Sequence, residues 1–425
     1  MDKEITTTDY QLPHLDLLNE YIPESKVPEN EIASKVAAIR SVLESGKVRV
    51  KDIKPMPGPV VTLYKVYPER GAKASKVRLL LEDVTLGLQL TGARVIALKD
   101  SIGIEIANDH RASVPIRSVL SDDAFRNSKA ELPVAIGRTF GDEVKVFDLA
   151  RAPHLLIAGA TQQGKTEAIH AIVASLLYSK RPSELKFVFI DPKGCEFTAY
   201  KRLLKHYLAV LPTAGSEEEE AENAIIKKAK DAADVLNSLC VEMDDRYALL
   251  ALAGVNKLKD YNEKYKDCKL LPTDGHKYLP YIVVVIDEFA DLTMSSGFGS
   301  EGKAMARGIS TAIIRLAQKG RAAGIHLIIA TQRPSVNVIT GDIKTNFPMR
   351  IAFRTVSRVD SQTILDSPGA EGLIGSGDMI FQVGGEETRL QGACISPKEI
   401  ARLISYVESS PTPDSPFSLP TSFFV

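Results

Sequence analysis

A short segment, GATQQGKT, contains residues whose types and spacing suit phosphate binding. It satisfies the pattern G-x-x-x-x-G-K-[ST] from Gly159 to Thr166, between an apolar run and a helix-like segment. In such a loop, backbone N–H groups and the N-terminus of the next helix surround phosphate oxygens, with Lys165 on the β and γ phosphates and Thr166 on Mg²⁺. We therefore predict ATP and Mg²⁺ as ligands. The expected nucleotide contacts are Gly159, Ala160, Thr161, Gln162, Gln163, Gly164, Lys165, Thr166 and Glu167.

The middle of this segment carries two bulky residues, Gln162 and Gln163. The motif demands glycine only at its two outer positions, because the intervening residues contribute mainly backbone groups. The two amides can therefore be exposed without a role, or they can point to a neighbouring subunit. The sequence leaves both interpretations open.

Polar residues also follow two later apolar runs. Asp287 and Glu288 come after YIVVVI, and Gln332 follows IHLIIAT. Parallel strands present ligand-binding residues at their carboxyl ends, so we expect Asp287 to hold magnesium with Thr166 and Glu288 to orient the attacking water. Gln332 is expected to sense the γ-phosphate. Taken singly, the acidic pair could be a solvated turn and Gln332 a strand-end cap. The order along the chain of phosphate loop, acidic pair and polar strand end favours a nucleotide hydrolase over a kinase.

The elements that must position these residues alternate between strand and helix. The runs HLLIAG, LKFVFID, YIVVVIDEF, IHLIIATQ and MRIAFRT, separated by helical segments, predict an α/β domain with a mostly parallel sheet flanked by helices. A long helix is expected from Glu217 to about Ala253. Upstream, one amphipathic helix and several strand-like runs predict a smaller α+β domain. The predicted divisions are an N-terminal arm at 1–28, the small domain at 29–130, the P-loop domain at 131–406 and a Ser/Pro-rich linker at 407–425.

Bulk composition limits the classes of protein further. The 425 residues include 44% hydrophobic and 25% charged residues with a formal net charge of -1, so any DNA site must be local. The four cysteines lack the spacing of a zinc site and indicate a reducing compartment. The longest apolar run is too short to span a bilayer, and the N-terminus is unlike a signal peptide. We expect a cytoplasmic chain that makes no membrane contact itself.

Longer segments resemble the motor module of the FtsK/SpoIIIE family of DNA translocases. The similarity lies in PHLLIAGATQQGKT, FIDPKGCEF, VVVIDEFADL and RAAGIHLIIATQRPSVNVITGDIKTNFPMRIAFRT, and it extends upstream into GPVVTLYKVYPERGAKASKV. It covers roughly Leu12 to Ser396. The resemblance implies a small domain and a RecA-like ATPase domain that together form a hexameric ring, hydrolyse ATP and move double-stranded DNA in chromosome segregation or cell division. A secretion or conjugation ATPase of the same superfamily, or a ring that binds ATP without hydrolysing it, are the alternatives.

The resemblance also directs attention to DNA contacts and to an arginine supplied across a subunit boundary. The segment FRTVSRVDSQT is rich in hydroxyl and guanidinium groups and lacks further aromatics, which suits contacts to a duplex backbone. Gln362 stands where the family usually has a basic residue. The expected DNA contacts are Arg354, Arg358, Ser361 and Gln362, with Ser357, Thr363 and the outlying Lys344 as further candidates. For the arginine in trans, we expect Arg350, with Arg246 as a second candidate.

Overall fold

A computed structural model describes residues 10–21, 27–69, 75–77, 79–80, 94–98, 100–212, 217–294, 299–411 and 416–421. No helix within these ranges combines the length and the apolar character needed to cross a bilayer.

The small domain consists of an antiparallel sheet covered by one helix. In the described part of the chain its strand order is β1-β2-β4-β3. Helix α1 places Ile39 and Leu43 on one face, where they pack with Tyr64 and Ile104 of the sheet. The bounds are α1 Glu29–Ser45, β1 Val50–Pro57, β2 Val61–Pro68, β3 Arg94–Ala97 and β4 Ile102–Ala107.

The large domain is built on one sheet, which over the described residues has the strand order β10-β8-β11-β12-β7-β13-β14-β15-β5-β6. In this order, strands β10, β8, β11, β12, β7 and β13 run parallel to one another, and β14, β15, β5 and β6 extend the sheet antiparallel. The bounds are β5 Pro133–Thr139, β6 Val144–Asp148, β7 His154–Ala158, β8 Leu185–Ile190, β10 Ile225–Ile226, β11 Tyr281–Ile286, β12 Ile325–Thr331, β13 Met349–Phe353, β14 Asp378–Val383 and β15 Glu386–Gly392.

Both faces of this sheet are covered by helices, which explains why its central strands are continuous apolar runs. Along β11, Val283 and Val285 join one apolar cluster, whereas Ile282 and Val284 join a second cluster on the opposite face. The predicted α/β class with a mostly parallel sheet, preceded by a smaller domain, is therefore confirmed. The further helices are α2 Ile116–Leu120, α3 Asp123–Arg126, α4 Lys165–Ser179, α5 Leu204–Tyr207, α6 Glu217–Asn223, α7 Ala229–Leu252, α8 Leu258–Lys266, α9 Phe289–Met294, α10 Gly299–Ala323, α11 Gly341–Asn346, α12 Arg358–Leu365 and α13 Pro397–Glu408.

Two local predictions differ from the structure. The long helix expected from Glu217 to Ala253 is interrupted by strand β10, which pairs with β8 at the edge of the large sheet. The Ser/Pro-rich tail also packs against the large domain over its described residues. There β16 (Phe417–Ser418) pairs with β9 (Ala209–Val210), and Leu419 is buried. Both errors have the same cause, because strand pairing depends on distant residues.

Buried charges join the two domains. Arg389 on β15 donates to Glu105 Oε2 of the small domain at 2.7 Å and to Asp378 Oδ2 of the large sheet at 2.6 Å. These three side chains are 1%, 2% and 3% exposed. A buried guanidinium that binds two carboxylates fixes the relative position of the elements that carry them.

Candidate functional site

The phosphate loop connects β7 to α4 and is shaped by close backbone contacts. Gly164 has φ 114°, which favours glycine, and a Cβ atom there would lie 2.8 Å from the Cα atom of Gly377. A Cβ atom at Gly159 would lie 2.6 Å from Phe353 Cβ. The two glycines that the motif demands are thus required sterically, Gly159 by strand β13 and Gly164 by the segment before β14.

Lys165 is buried at the N-terminus of α4 and binds the first residue of the acidic pair. Its side chain is 4% exposed, and its Nζ donates to the backbone oxygen of Asp287 at 2.5 Å and to Asp287 Oδ1 at 2.9 Å. This places the ammonium group, the magnesium-ligand candidate and the helix N-terminus together. The predicted convergence of the loop and the β11 strand end is observed.

Glu288 is held rigidly by the neighbouring strand end. Its Oε1 accepts from Thr331 Oγ1 at 2.6 Å, and its Oε2 accepts from the backbone N–H of Gln332 at 3.0 Å. Lys193 Nζ lies 3.7 Å from Oε2. Glu288 is 1% exposed, so these contacts hold its buried carboxylate in one orientation. Thr331 and Lys193 were not predicted from the sequence. Thr331 ends the apolar run IHLIIAT, and Lys193 lies three residues after LKFVFI, so their positions at strand ends were the available signal.

Gln332 connects the loop to Glu288. Its side-chain Oε1 accepts from Thr161 Oγ1 at 3.0 Å, while its N–H binds Glu288. A γ-phosphate sensor must lie between the loop and the acidic pair, and Gln332 occupies such a position. Its role as a sensor stays a prediction.

The two loop glutamines differ in their environments. Gln162 is exposed and adopts φ 60°. Gln163 is half-buried: its Nε2 donates to the backbone oxygen of Thr161 at 3.1 Å, and its own backbone oxygen accepts from Gly377 at 2.9 Å. Of the two amides, Gln162 is therefore the exposed one, and Gln163 connects the loop to the segment before β14.

The residues present fit a nucleoside triphosphate with magnesium. A buried ammonium group and a glycine-shaped loop at a helix N-terminus favour phosphate oxygens. The Thr166 hydroxyl and the Asp287 carboxylate are oxygen ligands of the kind that Mg²⁺ takes alongside phosphate. Burial raises the pKa of Glu196, and the nearby carboxylates of Asp287 and Asp191 raise it further.

The structure separates the candidate DNA residues into exposed and buried groups. Arg354, Arg358 and Gln362 are exposed, whereas Lys344 pairs with Asp366 at 2.6 Å. Ser361 is fully buried; its hydroxyl donates to the backbone oxygen of Ser367 at 2.9 Å and accepts from the N–H of Ala370 at 3.0 Å. The prediction of a phosphate contact from Ser361 is therefore wrong, and the buried Thr363 fails in the same way.

The two arginines considered for action in trans both bind within their own subunit. Arg350 donates to Asp366 Oδ2 at 2.6 Å and to the backbone oxygen of Lys344 at 2.9 Å. Its role in trans stays a prediction that requires these contacts to open. Arg246 is 1% exposed and binds Glu242 and two backbone oxygens, so it cannot reach a neighbour and that candidate is wrong.

Comparison with known proteins agrees with this geometry. The model of the FtsK/SpoIIIE family matches residues 115–336, which include the loop, the acidic pair and Gln332, and the model of the FtsK alpha domain matches residues 12–108. The DNA translocase FtsK of Haemophilus influenzae is 39% identical over 428 residues, which cover 95% of this chain and 76% of that protein. The chain belongs to the FtsK/SpoIIIE family.

Other relatives define the extent of the match. The DNA translocase FtsK of Chlorobaculum tepidum is 41% identical over 95% of this chain, which spans 48% of that relative. The chain thus covers about half the length of several FtsK/SpoIIIE relatives. Among solved structures, the pCW3 conjugation coupling protein TcpA superposes with a TM-score of 0.59 at 23% identity, covering 88% of this chain and 99% of TcpA. The EccC secretion ATPase of Thermomonospora curvata has a TM-score of 0.57 at 24% identity, with 71% of this chain and 35% of EccC covered. At these identities the two structures share the fold.

Proposed function

We propose that this chain is the motor part of a DNA translocase that hydrolyses ATP to move double-stranded DNA. The observation that carries the proposal is the buried arrangement of Lys165, Asp287 and Glu288, in a chain whose relatives over 95% of its length are named DNA translocases. The proposed setting is chromosome segregation or cell division in the cytoplasm, where duplex DNA and ATP are both present.

The proposed division of labour at the nucleotide follows from the side chains present. Lys165 and the loop N–H groups bind the phosphates, and Thr166 with Asp287 holds Mg²⁺, which supplies charge neutralisation at the phosphates when bound. Glu288 orients and polarises the attacking water. Its contacts with Thr331 and the N–H of Gln332 keep the carboxylate in a fixed position.

The proposed DNA grip lies at the start of α12. Arg358 and Gln362 are one helical turn apart and exposed on the same face, and Arg354 precedes them. Arg354 also connects this region to the nucleotide, because its backbone oxygen accepts from the N–H of Ala160 in the phosphate loop at 2.9 Å. A movement of the loop on ATP binding or hydrolysis is thereby passed directly to a residue proposed to contact DNA.

We also propose a homo-oligomeric ring, hexameric as the family resemblance implies. A ring needs basic residues only along its channel, which is compatible with the formal net charge of -1 for the whole chain. The alternative of a secretion or conjugation ATPase shares the fold and the nucleotide chemistry, so it differs only in the polymer that stimulates hydrolysis.

The decisive experiment is the ATPase rate measured with and without linear duplex DNA, single-stranded DNA and unfolded polypeptide. We expect strong stimulation by duplex alone. Glu288→Gln should bind ATP normally but hydrolyse it at least ~10²-fold more slowly, because it removes a positioned general base while keeping the shape of the side chain. Lys165→Ala should fail to bind ATP.

Stimulation by polypeptide instead of duplex would favour the secretion alternative. ATP binding without hydrolysis, both in the absence of polymer and with each of the three polymers, would favour a structural ring. Parental hydrolysis by Glu288→Gln would contradict the role assigned to that carboxylate.

A further inference from the structure

Two ion pairs of opposite orientation join the small domain to strand β15 of the large sheet. Arg94 on β3 and Glu105 on β4 are cross-strand partners, and Glu387 and Arg389 lie two positions apart on β15, so each set shares a face of its sheet. Arg94 Nη2 donates to Glu387 Oε2 at 2.8 Å, and Arg389 Nη1 donates to Glu105 Oε2 at 2.7 Å. A basic and an acidic residue of one domain thus meet an acidic and a basic residue of the other, which fixes the register between them.

The Arg94–Glu387 pair is connected to helix α12, which carries the exposed Arg358. The second carboxylate oxygen of Glu387, Oε1, accepts from the hydroxyl of Ser367, two residues after α12 ends. The backbone oxygen of Ser367 accepts from Ser361 Oγ inside α12 at 2.9 Å. The hydrogen bonds therefore run without a break from the small domain to the helix.

The guanidinium group of Arg94 also lies against the backbone of segment 367–371, which follows α12. Gly369 has φ 137°, and a Cβ atom there would lie 2.8 Å from Arg94 Cζ, so the lack of a side chain lets the guanidinium group approach closely. The next residue, Ala370, donates its N–H to Ser361 Oγ at 3.0 Å. Segment 367–371 is thus held between Arg94 on one side and α12 on the other.

Segment 367–371 is bonded in turn to the residues proposed to contact the duplex. Thr355 lies between Arg354 and Arg358 in the chain, and its N–H donates to the backbone oxygen of Ala370 at 3.2 Å. Thr355 is 3% exposed, whereas both arginines are exposed. The direction in which the two arginines project therefore depends on a segment that Arg94 holds.

The Arg94–Glu387 pair differs in burial from the pair beside it. The side chains of Arg94 and Glu387 are 20% and 21% exposed, whereas those of Arg389 and Glu105 are 1% and 2% exposed. Loss of the Arg94 charge leaves Glu387 in contact with water and with Ser367, so the chain should stay folded. The consequence of the pair is thus mainly geometric: it fixes the positions of Glu387 and of segment 367–371.

We propose that Arg94 of the small domain is a positioning residue for the duplex site, which sets the direction of Arg354 and Arg358 through Glu387 and segment 367–371. The inference rests on the proposed function, because it concerns the same duplex site. It assigns the small domain a part in gripping DNA, carried by a network of hydrogen bonds across the domain junction. Breaking the Arg94–Glu387 pair should loosen the grip on the duplex and leave the nucleotide site intact.

The test measures the Kd for a labelled linear duplex by fluorescence anisotropy, with the full chain and a non-hydrolysable ATP analogue. Arg94→Met keeps an unbranched side chain but removes the charge and the planar group, and we expect it to raise that Kd at least ~5-fold. The Kd for ATP and the DNA-free ATPase rate should stay within about twofold of the parent values. Arg94→Lys keeps a positive charge opposite Glu387 and should recover part of the affinity.

A second variant and a control locate the effect. Ser367→Ala breaks the same contacts from within the large domain and should also raise the Kd for the duplex. The double variant Arg94→Met/Ser367→Ala should bind the duplex no more weakly than the weaker-binding single variant, because both act through Glu387. Arg117→Met is the matched control, since Arg117 is 21% exposed and pairs with Asp16 of the N-terminal arm; its Kd for the duplex should not change.

An unchanged Kd for the duplex in Arg94→Met would overturn the inference and leave the proposed function standing. If Arg94→Met does not fold, an unchanged Kd in Ser367→Ala overturns it in the same way. Losses that multiply in the double variant would overturn it because the two residues would act separately, and so would an equal loss in Arg117→Met. If the parent chain binds no duplex, the proposed function fails together with the inference.

Discussion

At the scale of single residues, two buried histidines on adjacent strands make the large sheet sensitive to acid. His154 begins β7, and its Nδ1 accepts the backbone N–H of Leu327 on β12 at 3.1 Å. This hydrogen bond requires an unprotonated Nδ1. Burial lowers the pKa of His154 to about 3 and that of the neighbouring His326 to about 4. Both imidazoles are therefore neutral in the folded chain at pH 7.

The sign of the resulting pH dependence follows from proton binding. Below about pH 6.5 an unfolded histidine takes up a proton that these folded residues exclude. Stability should therefore be full above that pH and fall as the pH is lowered toward about 3 for His154 and about 4 for His326. His154→Asn, which keeps an acceptor for Leu327, should reduce this slope by ~1.4 kcal/mol per pH unit. Urea unfolding from pH 7 to pH 4 measures it, with His14→Asn as an exposed control. An unchanged slope in His154→Asn would show that other groups carry the acid sensitivity.

At the scale of elements, the segment proposed to grip DNA consists of Arg354 and a short helix, α12. Ser357 caps α12 by accepting the N–H of Asp360 at 3.1 Å, and Asp360 Oδ2 accepts the N–H of Ser357 at 3.2 Å. The hydroxyl residues are thus used for capping and for internal bonds. The guanidinium groups of Arg354 and Arg358 remain on the surface.

Because Arg358 is exposed and Ser361 is buried, substitutions at these two positions of α12 should change different properties of the protein. Arg358→Ala should weaken binding to all duplexes alike and reduce the salt slope by about 0.9, as for one lost phosphate contact, without changing stability. Ser361→Ala should keep the salt slope but lower the free energy of unfolding by ~1–3 kcal/mol, because it leaves buried partners unpaired. Duplex titrations at several salt concentrations and urea unfolding separate the two. Arg126→Ala, an exposed arginine on α3, is the control, and an unaltered salt slope in Arg358→Ala would remove α12 from the DNA site.

At the scale of the whole molecule, the buried charges at the domain junction connect the small domain to the phosphate loop. Arg389 binds Glu105 of the small domain and Asp378 of β14. Asp378 in turn accepts the N–H of Ile374, and Gly377 of the same segment binds Gln163. The chain of contacts is continuous from one domain to the nucleotide site.

Removing one member of this network should therefore be costly. Glu105→Ala leaves Arg389 buried with one carboxylate partner, so we expect the free energy of unfolding to fall by ~3–5 kcal/mol. Glu408→Ala, which breaks an exposed pair with Arg202, should cost no more than ~1 kcal/mol. Urea unfolding compares the two variants. Similar losses in both would mean that the junction contributes no more than a surface ion pair.

The sequence alone determined the elements whose signals are local. The phosphate loop is recognisable because its glycines, Lys165 and Thr166 lie within eight positions, and the strands are recognisable because burial on both faces demands continuous apolar runs. The end of each run also located Asp287, Glu288 and Gln332, since parallel strands end at a common edge. These features require no knowledge of which segments meet.

Only the tertiary structure decided which polar residues are available for function. Serine and arginine are usually exposed residue types, but segments that pack over Ser361 and Arg246 bury both side chains. Gln163 gained a partner in Gly377, more than two hundred residues away, and the tail gained a strand partner in Ala209–Val210. A cavity beside the loop likewise has walls from both domains. A side chain's exposure and partners depend on contacts between segments far apart in the chain, and local residue patterns carry no record of those contacts.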